Sequence, residues 1–476
     1  MNRRGFLANS LRAASVLASS RTVSAQNEGD PTARVTIHTG RSGFPISPDF
    51  MGLGYEISSV ARPGLLHPAN RVYLQLVRTL GARGVIRVGG NTSDYATYSP
   101  AGNAVSAPTG TVVNDAVLDD LGGFLEASGW NLIWGLNLGT GTKAGAVAEA
   151  NAVLASAGDR LLAFEVGNEP DLFEYAQLRK PGYGYEDWLA EYRLYKAALR
   201  GSNSVISLAG PDAAIVTDWV SRFAADEGKD AVLLTHHYYR ENQNPTSTID
   251  KLLSVDPNLQ PKLAQLHAAS QSCGVPYRIC EVNSFSGGGK PGVSDAFASA
   301  LWVLDYMFTA AAAGCSGVNM ETGVNQLGFI SFYSPIGDDE QGHYSAKPEY
   351  YGMLAFSRAA RGDLLDLDLE TTSPNLKAYA TRPNPKTVLL AVINKESQPL
   401  SVLAGTSGPI QTHMASVLRL EGPALDAKSG ITLGGAEVTP TGTWHPARVE
   451  RVPVRNAKVR VELRAASAAI IEIQAS

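Results

Sequence analysis

Residues 276–321 read PYRICEVNSFSGGGKPGVSDAFASALWVLDYMFTAAAAGCSGVNME, and this stretch decides the fold class. It begins with a short apolar run (276–282), continues through a long segment with helical spacing (294–313) and ends in a second apolar run (317–321). The short runs predict buried strands, and Gly314 marks the point at which the helix must end. A strand, a helix and a strand in this order predict two parallel strands joined by a crossover helix.

The same alternation extends over residues 50–362. The predicted strands are 50–56, 84–89, 131–138, 162–166, 205–211, 232–239, 276–282 and 317–321. The predicted helices are 69–80, 113–128, 144–157, 187–199, 216–225, 259–271, 294–313 and 348–360. Eight repeats are the number that closes a (β/α)8 barrel. An open doubly wound sheet is disfavoured because no G-x-G-x-x-G loop follows the first strand. The predicted fold class is therefore α/β, with a (β/α)8 TIM barrel over residues 48–362.

The pattern changes after Gly362. Short alternating runs punctuated by Pro, Gly and Asn predict an appended C-terminal β-sandwich domain over residues 363–476. The segment 33–39, ARVTIHT, reads as a strand but comes too early for the barrel. We therefore expect the N-terminal segment 26–47 to contribute this strand to the β-sandwich.

Residues 1–25 predict an export signal rather than part of the fold. Arg3 and Arg4 precede a weakly apolar stretch that leads to the cleavable sequence Val23-Ser24-Ala25, as in a twin-arginine signal. Its removal leaves 36 basic against 45 acidic residues. This balance disfavours a nucleic-acid partner. We expect a periplasmic or extracellular protein with no membrane insertion after signal cleavage.

The cysteine content indicates neither a disulfide framework nor a structural zinc site. Cys273, Cys280 and Cys315 are an odd number in a chain of 476 residues. They form neither a disulfide framework nor the paired Cys/His spacing of a zinc site. Pairing of Cys273 with Cys280 after export is left open.

Two glutamates follow predicted strands of the barrel. Glu169, in Gly167-Asn168-Glu169-Pro170, follows the fourth strand, and Glu281 lies at the end of the seventh. Catalytic groups of TIM barrels lie at the C-terminal ends of the strands. Two carboxyl groups that face each other at this rim are what glycosidic bond hydrolysis requires.

These residues belong to longer motifs that carry a family resemblance. The motifs are Gly167-Asn168-Glu169-Pro170, His236-His237-Tyr238-Tyr239, Glu281-Val282-Asn283-Ser284 with Gly287-Gly288-Gly289, and the C-terminal residues 418–435. Together they resemble glycoside hydrolase family 79, the β-glucuronidase and heparanase family, over nearly all of the chain after residue 25. The Asn-Glu-Pro motif alone indicates only the retaining (β/α)8 clan.

The resemblance implies a retaining mechanism and a role for each motif residue. Glu281 is the nucleophile and Glu169 the acid/base. Tyr238 donates a hydrogen bond that orients the nucleophile, and Asn168 holds the sugar 2-hydroxyl. No cofactor is implied.

The resemblance also implies a site for a uronic acid carboxylate. Backbone amides of Gly287 and Gly288 and a tyrosine from the loop after strand eight bind this group in the family. We assign that tyrosine to Tyr333 rather than Tyr344. One departure is Ser286, at a position where family members carry a tyrosine, which weakens the assignment to glucuronate or leaves room for a sugar substituent such as a methyl group.

Four further polar residues lie at predicted strand ends, and the sequence assigns no single role to them. They are Glu56, Asn91, Asp212 and Glu321, each of which could bind sugar hydroxyls or form a salt bridge at the rim. His236 and His237 do not predict a metal site, because adjacent residues of a strand point to opposite faces and no carboxylate or cysteine lies nearby in sequence.

The sequence therefore predicts an exported, retaining, exo-acting β-glucuronidase whose partner is a glucuronic-acid-containing oligo- or polysaccharide. Three alternatives stay open: an endo-acting heparanase-like glucuronidase, another retaining β-glycosidase of the clan that acts on a neutral sugar, and a non-catalytic carbohydrate-binding protein. Tolerance of a 4-O-methyl or sulfate group, the aglycone and the oligomeric state are not determined by the sequence.

Overall fold

The computed structural model describes residues 30–102, 111–326, 331–339 and 341–474. The export signal predicted for residues 1–25 lies outside these ranges, as do residues 328–330 of the loop after the eighth strand. The described chain forms a parallel barrel and a separate β domain. No helix in these ranges combines the length and apolar character that a membrane span requires.

In the described chain, eight parallel strands form one sheet in which sequence neighbours lie side by side. The strands are Gly52–Glu56, Val85–Gly89, Asn131–Leu136, Leu161–Val166, Ala209–Ala213, Leu233–Asn242, Tyr277–Ser286 and Val318–Glu321. The eighth strand pairs with the first, and a bridge from Phe164 to Leu208 joins the fourth to the fifth. The sheet is therefore nearly closed, and the predicted barrel is confirmed.

The fifth strand begins and ends later in the chain than predicted. It begins at Ala209 rather than at Val205, because residues 204–205 form a turn that leaves Val205 68% exposed. The sixth and seventh strands extend beyond their predicted ends, to Asn242 and Ser286. These extensions carry polar residues over the mouth of the barrel.

The principal helices follow the strands as predicted, within a few residues at each end. They are Arg71–Leu80, Asp115–Ser128, Lys143–Ala157, Tyr185–Ser202, Asp218–Glu227, Leu259–Cys273, Phe297–Ala312 and Pro348–Ala359, with two short helices at Ile57–Val60 and Ile249–Leu253. The side chains of Asn114 and Thr142 accept backbone N–H groups at the starts of their helices. Gly129, with φ of 78°, ends a helix in the left-handed conformation that glycine adopts without strain.

The C-terminal β domain is a continuous sheet of ten described strands. They are Ala33–Pro45, Asp363–Thr371, Leu376–Asn384, Thr387–Asn394, Leu400–Thr406, Met414–Glu421, Thr432–Leu433, Glu450–Arg455, Lys458–Leu463 and Ser467–Gln474. The last strand pairs with both Thr387–Asn394 and Met414–Glu421, so the sheet closes on itself around its own apolar core. The separate β domain is confirmed, with one folded-over sheet where two sheets were expected.

The early strand Ala33–Pro45 lies inside this sheet. It pairs antiparallel with Asp363–Thr371 and parallel with Leu400–Thr406. The chain thus starts in the β domain, runs through the barrel and returns to the β domain.

Buried polar contacts join the two domains. Asp305 of a barrel helix accepts a hydrogen bond from Tyr379 at 2.6 Å and pairs with Lys395 at 2.5 Å. The Tyr379 ring stacks on Phe308 with centroids 4.8 Å apart.

Two small sheets, Thr97–Tyr98 with Val112–Val113 and Ile336–Asp338 with Tyr344–Ala346, lie in loops of the barrel. Cys273, Cys280 and Cys315 are free thiols in the described structure.

Candidate active site

A cavity of about 930 Å³ lies at the C-terminal ends of the barrel strands. It contains both glutamates that the sequence singled out, Glu169 and Glu281. The other sequence-predicted residues that line it are Glu56, Asn91, Tyr238, Gly287, Gly288 and Tyr333. Asn168, which precedes Glu169 in the chain, is not among the lining residues; it is buried and hydrogen-bonded to Arg87 and Asn91.

Glu169 is presented to the cavity by a sharp turn after the fourth strand. Its φ of 52° is left-handed, and Pro170 begins a short 3-10 turn behind it. The backbone N–H of Glu169 donates to the carbonyl of Asp212 at 3.0 Å, and its carboxyl group accepts from Nδ1 of His237 at 3.0 Å. Burial raises the pKa of Glu169, and the nearby charge of Glu281 adds to this effect although His237 opposes it. Glu169 is thereby suited to carry a proton.

Glu281 is held by two donors. Its Oε1 accepts from the Tyr239 hydroxyl at 2.9 Å, and its Oε2 accepts from Nη1 of Arg87 at 3.0 Å. Both donors hold the carboxylate oxygens in place at the barrel mouth. The two glutamates therefore occupy different environments, one suited to an acid and the other to a nucleophile.

The tyrosine that contacts Glu281 is Tyr239, so the assignment of this role to Tyr238 was wrong. Tyr238 donates instead to Asp256 at 2.7 Å, and its ring stacks on Tyr306 with centroids 5.1 Å apart. Successive side chains of a strand point to opposite faces, so only one of the two tyrosines can point into the barrel. In this strand that side chain is Tyr239, which shares its face with His237.

The variants Tyr239→Phe and Tyr238→Phe distinguish the roles of the two tyrosines. We expect Tyr239→Phe to lower kcat roughly 10- to 100-fold, because Glu281 loses one of its two donors. Tyr238→Phe should leave kcat within about threefold of the parent, because its lost bond to Asp256 lies outside the reacting atoms. Steady-state kinetics with the same substrate checks both. A larger loss in Tyr238→Phe than in Tyr239→Phe would contradict the assignment.

Arg87 connects the acidic side chains at the centre of the barrel, and sequence reasoning missed it. The side chain is fully buried. Its guanidinium donates to Glu165 at 3.0 Å, to Asn168 at 2.8 Å, to Asp212 at 2.6 Å and to Glu281 at 3.0 Å. The available signal was an arginine inside the otherwise apolar second strand, since a buried arginine requires carboxylate partners.

His237 lies between two carboxyl groups, a role that sequence reasoning also missed. Its Nε2 is 2.8 Å from Oδ1 of Asp212, and its Nδ1 faces Glu169. Burial lowers the pKa of His237, but Asp212 and Glu281 outweigh burial and raise it well above its ordinary value. Asp212 and Glu281 thus favour the protonated imidazole, which can donate from both nitrogens.

A proton on His237 would oppose the binding of a metal ion at this site. Glu169, His237 and Glu281 each place one potential ligand atom within 4.8 Å of the others. The spacing alone would fit a cation, but a protonated imidazole has no free lone pair to offer one. Metal binding would require His237 to lose a proton that Asp212 stabilises.

Asn168, Asn91 and Glu56 form a hydrogen-bonded polar group near Glu169. Oδ1 of Asn168 accepts from Arg87, and Nδ2 donates to Oδ1 of Asn91 at 3.3 Å. Glu56 accepts from the backbone N–H groups of Thr92 at 2.8 Å and of Asn91 at 3.1 Å. These polar groups lie on the side of Glu281 that faces barrel strands one and two.

A glycine loop follows the seventh strand, which carries Glu281. Gly287, Gly288 and Gly289 have φ values of 72°, 85° and 82°, a conformation that other residues rarely adopt. The carbonyl of Gly288 accepts from the N–H of Phe332 at 2.6 Å, which brings the loop next to Tyr333. The Tyr333 ring lies 6.0 Å from that of Tyr239.

The alternative tyrosine, Tyr344, faces away from this loop. Its ring packs edge-on against Tyr73 with centroids 4.9 Å apart, and it does not line the cavity. Of the two tyrosines considered, Tyr333 is therefore the one next to the glutamates.

Glu321, from the end of the eighth strand, also lines the cavity. Its side chain is buried, and Oε2 has no hydrogen-bond partner among the described residues. Burial and the charges of Glu281 and Glu56 raise its pKa well above the ordinary value. A neutral Glu321 can donate a hydrogen bond to a ligand.

Comparisons with known proteins agree with this geometry. The C-terminal β domain of glycosyl hydrolase family 79 matches residues 375–470. A β-glucuronidase of Aspergillus niger is 27% identical to this chain, over 90% of this chain and 89% of its own length. A β-glucuronidase of Neurospora crassa is 26% identical over 68% of this chain and 66% of its own length.

Solved structures share the architecture. A 4-O-α-L-rhamnosyl-β-D-glucuronidase from Fusarium oxysporum is similar with a TM-score of 0.76 at 21% identity, over 92% of this chain and 99% of that one. An α-L-arabinofuranosidase from Thermotoga maritima has a TM-score of 0.69 at 14% identity, over 93% of this chain and all of that one. With the paired glutamates at the barrel mouth and a C-terminal domain that matches the β domain of glycosyl hydrolase family 79, this chain is a glycoside hydrolase similar to β-glucuronidases.

Proposed function

We propose that this glycoside hydrolase removes terminal β-linked glucuronic acid from glycans by a retaining, two-step mechanism. The observation that carries the mechanism is the short distance between the two carboxyl groups. An oxygen of Glu169 lies within 4.8 Å of an oxygen of Glu281. Retaining glycosidases hold their carboxyl groups about 5 to 5.5 Å apart, whereas inverting enzymes leave about 6.5 to 9.5 Å for a water molecule.

In the first step Glu281 attacks the anomeric carbon. The bond from this carbon to the leaving oxygen breaks as the new bond to Glu281 forms, and Glu169 gives its proton to the leaving oxygen. Arg87 and Tyr239 orient the attacking carboxylate. His237 holds Glu169 through one oxygen, which leaves the other oxygen to carry the proton.

In the second step the roles of Glu169 reverse. The glutamate, now ionised, removes a proton from a water molecule that attacks the anomeric carbon and displaces Glu281. The configuration at the anomeric carbon is inverted twice and therefore retained. The residue proposed to bind the sugar 2-hydroxyl is Asn168, whose Nδ2 donates to Asn91 on the cavity wall at 3.3 Å.

Recognition of the uronic acid carboxylate is proposed for the glycine loop and Tyr333. Successive backbone N–H groups in a turn, such as Gly287 and Gly288, can form a concave site that suits an anion. The Tyr333 hydroxyl and a neutral Glu321 can add donors on the same side. The β-glucuronidase relatives support this choice of sugar.

Exo action is supported by the walls of the cavity on this side. Glu321 and Tyr333 are buried, and Gly287 and Gly288 line the cavity directly after the strand that carries Glu281. A single terminal sugar fits this arrangement better than a continuous chain. Ser286, whose hydroxyl donates to Asn242 at 2.6 Å, is small enough to leave room for a 4-O-methyl group.

A neutral sugar is the second candidate substrate, because the same wall carries Glu56 and Glu321 and no lysine or arginine from the described residues. An ionised carboxyl group at either position would repel a uronate. Under this alternative the two-glutamate mechanism is unchanged.

The substrate test compares hydrolysis of p-nitrophenyl β-D-glucuronide with that of the glucoside, galactoside and xyloside. We expect kcat/KM for the glucuronide to exceed the others by at least a hundredfold. Preference for a neutral sugar would overturn the proposed role of the glycine loop. Cleavage of internal bonds in a glucuronate polymer, without action on the aryl glycosides, would favour an endo mode.

The dependence of activity on pH tests the role of Glu169. The first step needs the protonated carboxyl group, so kcat/KM should fall as pH rises through the pKa of Glu169, which burial has raised. Glu169→Gln should lose this alkaline limb while keeping some activity on p-nitrophenyl substrates, whose leaving group needs little protonation. An unchanged alkaline limb in the variant would assign it to another group.

Export by a twin-arginine-type signal is also proposed, from residues 1–25 of the sequence. N-terminal sequencing of the protein recovered outside the cytoplasm should begin after Ala25. An uncleaved start would contradict this.

A further inference from the structure

The cavity extends beyond Glu169 toward barrel strands five and six. The lining residues on this side are Leu172, Tyr175, Ala214, Ile215, Arg240, Asp256, Asn258 and Lys262. The general acid must face the oxygen that leaves with the second sugar. The residues on this side therefore surround the leaving part of the substrate.

Most charged groups on this side already have partners. Arg240 pairs with Asp256 at 2.8 Å, and Glu241 pairs with Lys251 at 2.5 Å. Asp256 also accepts the Tyr238 hydroxyl. These pairs are neutral overall and leave little charge to attract a ligand.

Lys262 differs from these groups. It is half-buried on the helix Leu259–Cys273, and its ammonium group has no ion pair or hydrogen bond to another described residue. Burial lowers the pKa of its ammonium group, although Asp171 and Asp256 oppose this effect. Half-buried cations without a partner are unfavourable, so an anion that reaches Lys262 would be bound with little competition.

The two acidic groups that act on the charge of Lys262, Asp171 and Asp256, are each held by other donors and form no ion pair with it in the described structure. Asp171 accepts the backbone N–H groups of Ala214 at 2.8 Å, Ile215 at 2.8 Å and Val216 at 2.9 Å. Asp256 is occupied as described above. The ammonium group of Lys262 is therefore available to the cavity.

We propose that Lys262 determines specificity by binding an anionic group on the sugar next to the scissile bond, an inference that rests on the proposed glucuronidase function. The natural substrates are then acidic glycans that carry a carboxylate or a sulfate on the leaving sugar. Tyr175, 87% exposed, and Ile215, 65% exposed, provide apolar surface at the edge of the cavity against which the face of this sugar packs.

The test uses disaccharides with β-glucuronic acid linked to galactose, to galacturonic acid or to galactose 6-sulfate, together with p-nitrophenyl β-D-glucuronide. In Lys262→Gln we expect KM for one or both acidic disaccharides to rise roughly tenfold or more, the loss typical of a charge-assisted contact. KM for the galactose disaccharide and the aryl glucuronide should change less than twofold. Lys229→Gln, which removes an exposed lysine from the turn after the helix Asp218–Glu227, is the matched control.

The two acidic disaccharides distinguish a carboxylate-binding site from a sulfate-binding site. A rise confined to the galacturonic acid substrate identifies a carboxylate, and a rise confined to the sulfated one identifies a sulfate. Equal changes for neutral and acidic leaving sugars would overturn the role of Lys262 while the proposed function stands.

A binding measurement separates this inference from the proposed function. Calorimetry with Glu281→Gln follows galacturonic acid and galactose 6-sulfate without any hydrolysis. Loss of binding in the Glu281→Gln, Lys262→Gln double variant would support the anion site even if no glucuronide is cleaved by the parent enzyme. Binding that does not depend on Lys262 would overturn it.

Discussion

Glu281→Gln is expected to lower kcat by a factor on the order of 10⁴ or more, the largest effect of any single substitution in this chain. The amide is nearly the same size as the carboxylate but cannot form the glycosyl-enzyme. Arg87 and Tyr239 would keep their positions, so the fold and the free energy of unfolding should change little. Steady-state kinetics and circular dichroism on the same preparation check both parts.

A chemical control distinguishes loss of the nucleophile from general damage. In Glu281→Ala, added azide can attack the anomeric carbon from the space that the side chain has vacated, and it should yield a glycosyl azide of inverted configuration. The corresponding azide product from Glu169→Ala should have the retained configuration, because Glu281 still acts first. The opposite pairing of products would exchange the roles of the two glutamates.

Arg87→Met is expected to have the second largest effect, on stability as well as on activity. It removes the cation shared by Glu165, Asp212 and Glu281 and leaves buried carboxylates without compensation. Breaking a buried ion pair in this way costs about 3–5 kcal/mol of unfolding free energy. Urea unfolding of the barrel, followed by near-UV circular dichroism, measures this loss, and kcat should fall because Glu281 loses one of its donors.

The pH dependence of this variant provides its control. The carboxyl groups left unpaired can take up protons, so the stability difference between Arg87→Met and the parent should shrink as pH falls. Arg87→Lys keeps the charge but cannot supply donors in four directions, and its stability should lie between the two. A stability loss below about 1 kcal/mol in Arg87→Met would show that the four contacts contribute little.

The paired glutamates could be predicted because their signals are local. Pro170 ends the fourth strand directly after Glu169, and Glu281 follows an apolar run, so each carboxyl group is assigned to the barrel mouth by its neighbours in sequence. The barrel itself follows from eight strand-helix repeats. Neither inference requires knowledge of how distant segments contact one another.

The partners of these glutamates could not be predicted in the same way. Tyr238 and Tyr239 are adjacent in sequence, and a shift of one residue along a strand turns a side chain from the interior to the outer face. His237 was set aside as a ligand because no carboxylate lies near it in sequence. In the structure Asp212 and Glu169 reach it from the fifth and fourth strands.

The sequence by itself determined the order of strands and helices, the separate β domain and the two carboxyl groups at the rim, because hydrophobic period and turn residues act over a few positions. Only the tertiary structure decided that Arg87 joins four side chains, that Tyr239 holds Glu281 and that the ammonium group of Lys262 has no partner among the described residues. Those outcomes depend on barrel closure, which brings residues from separate strands and helices within hydrogen-bonding distance in a buried space where each charge needs a counterpart.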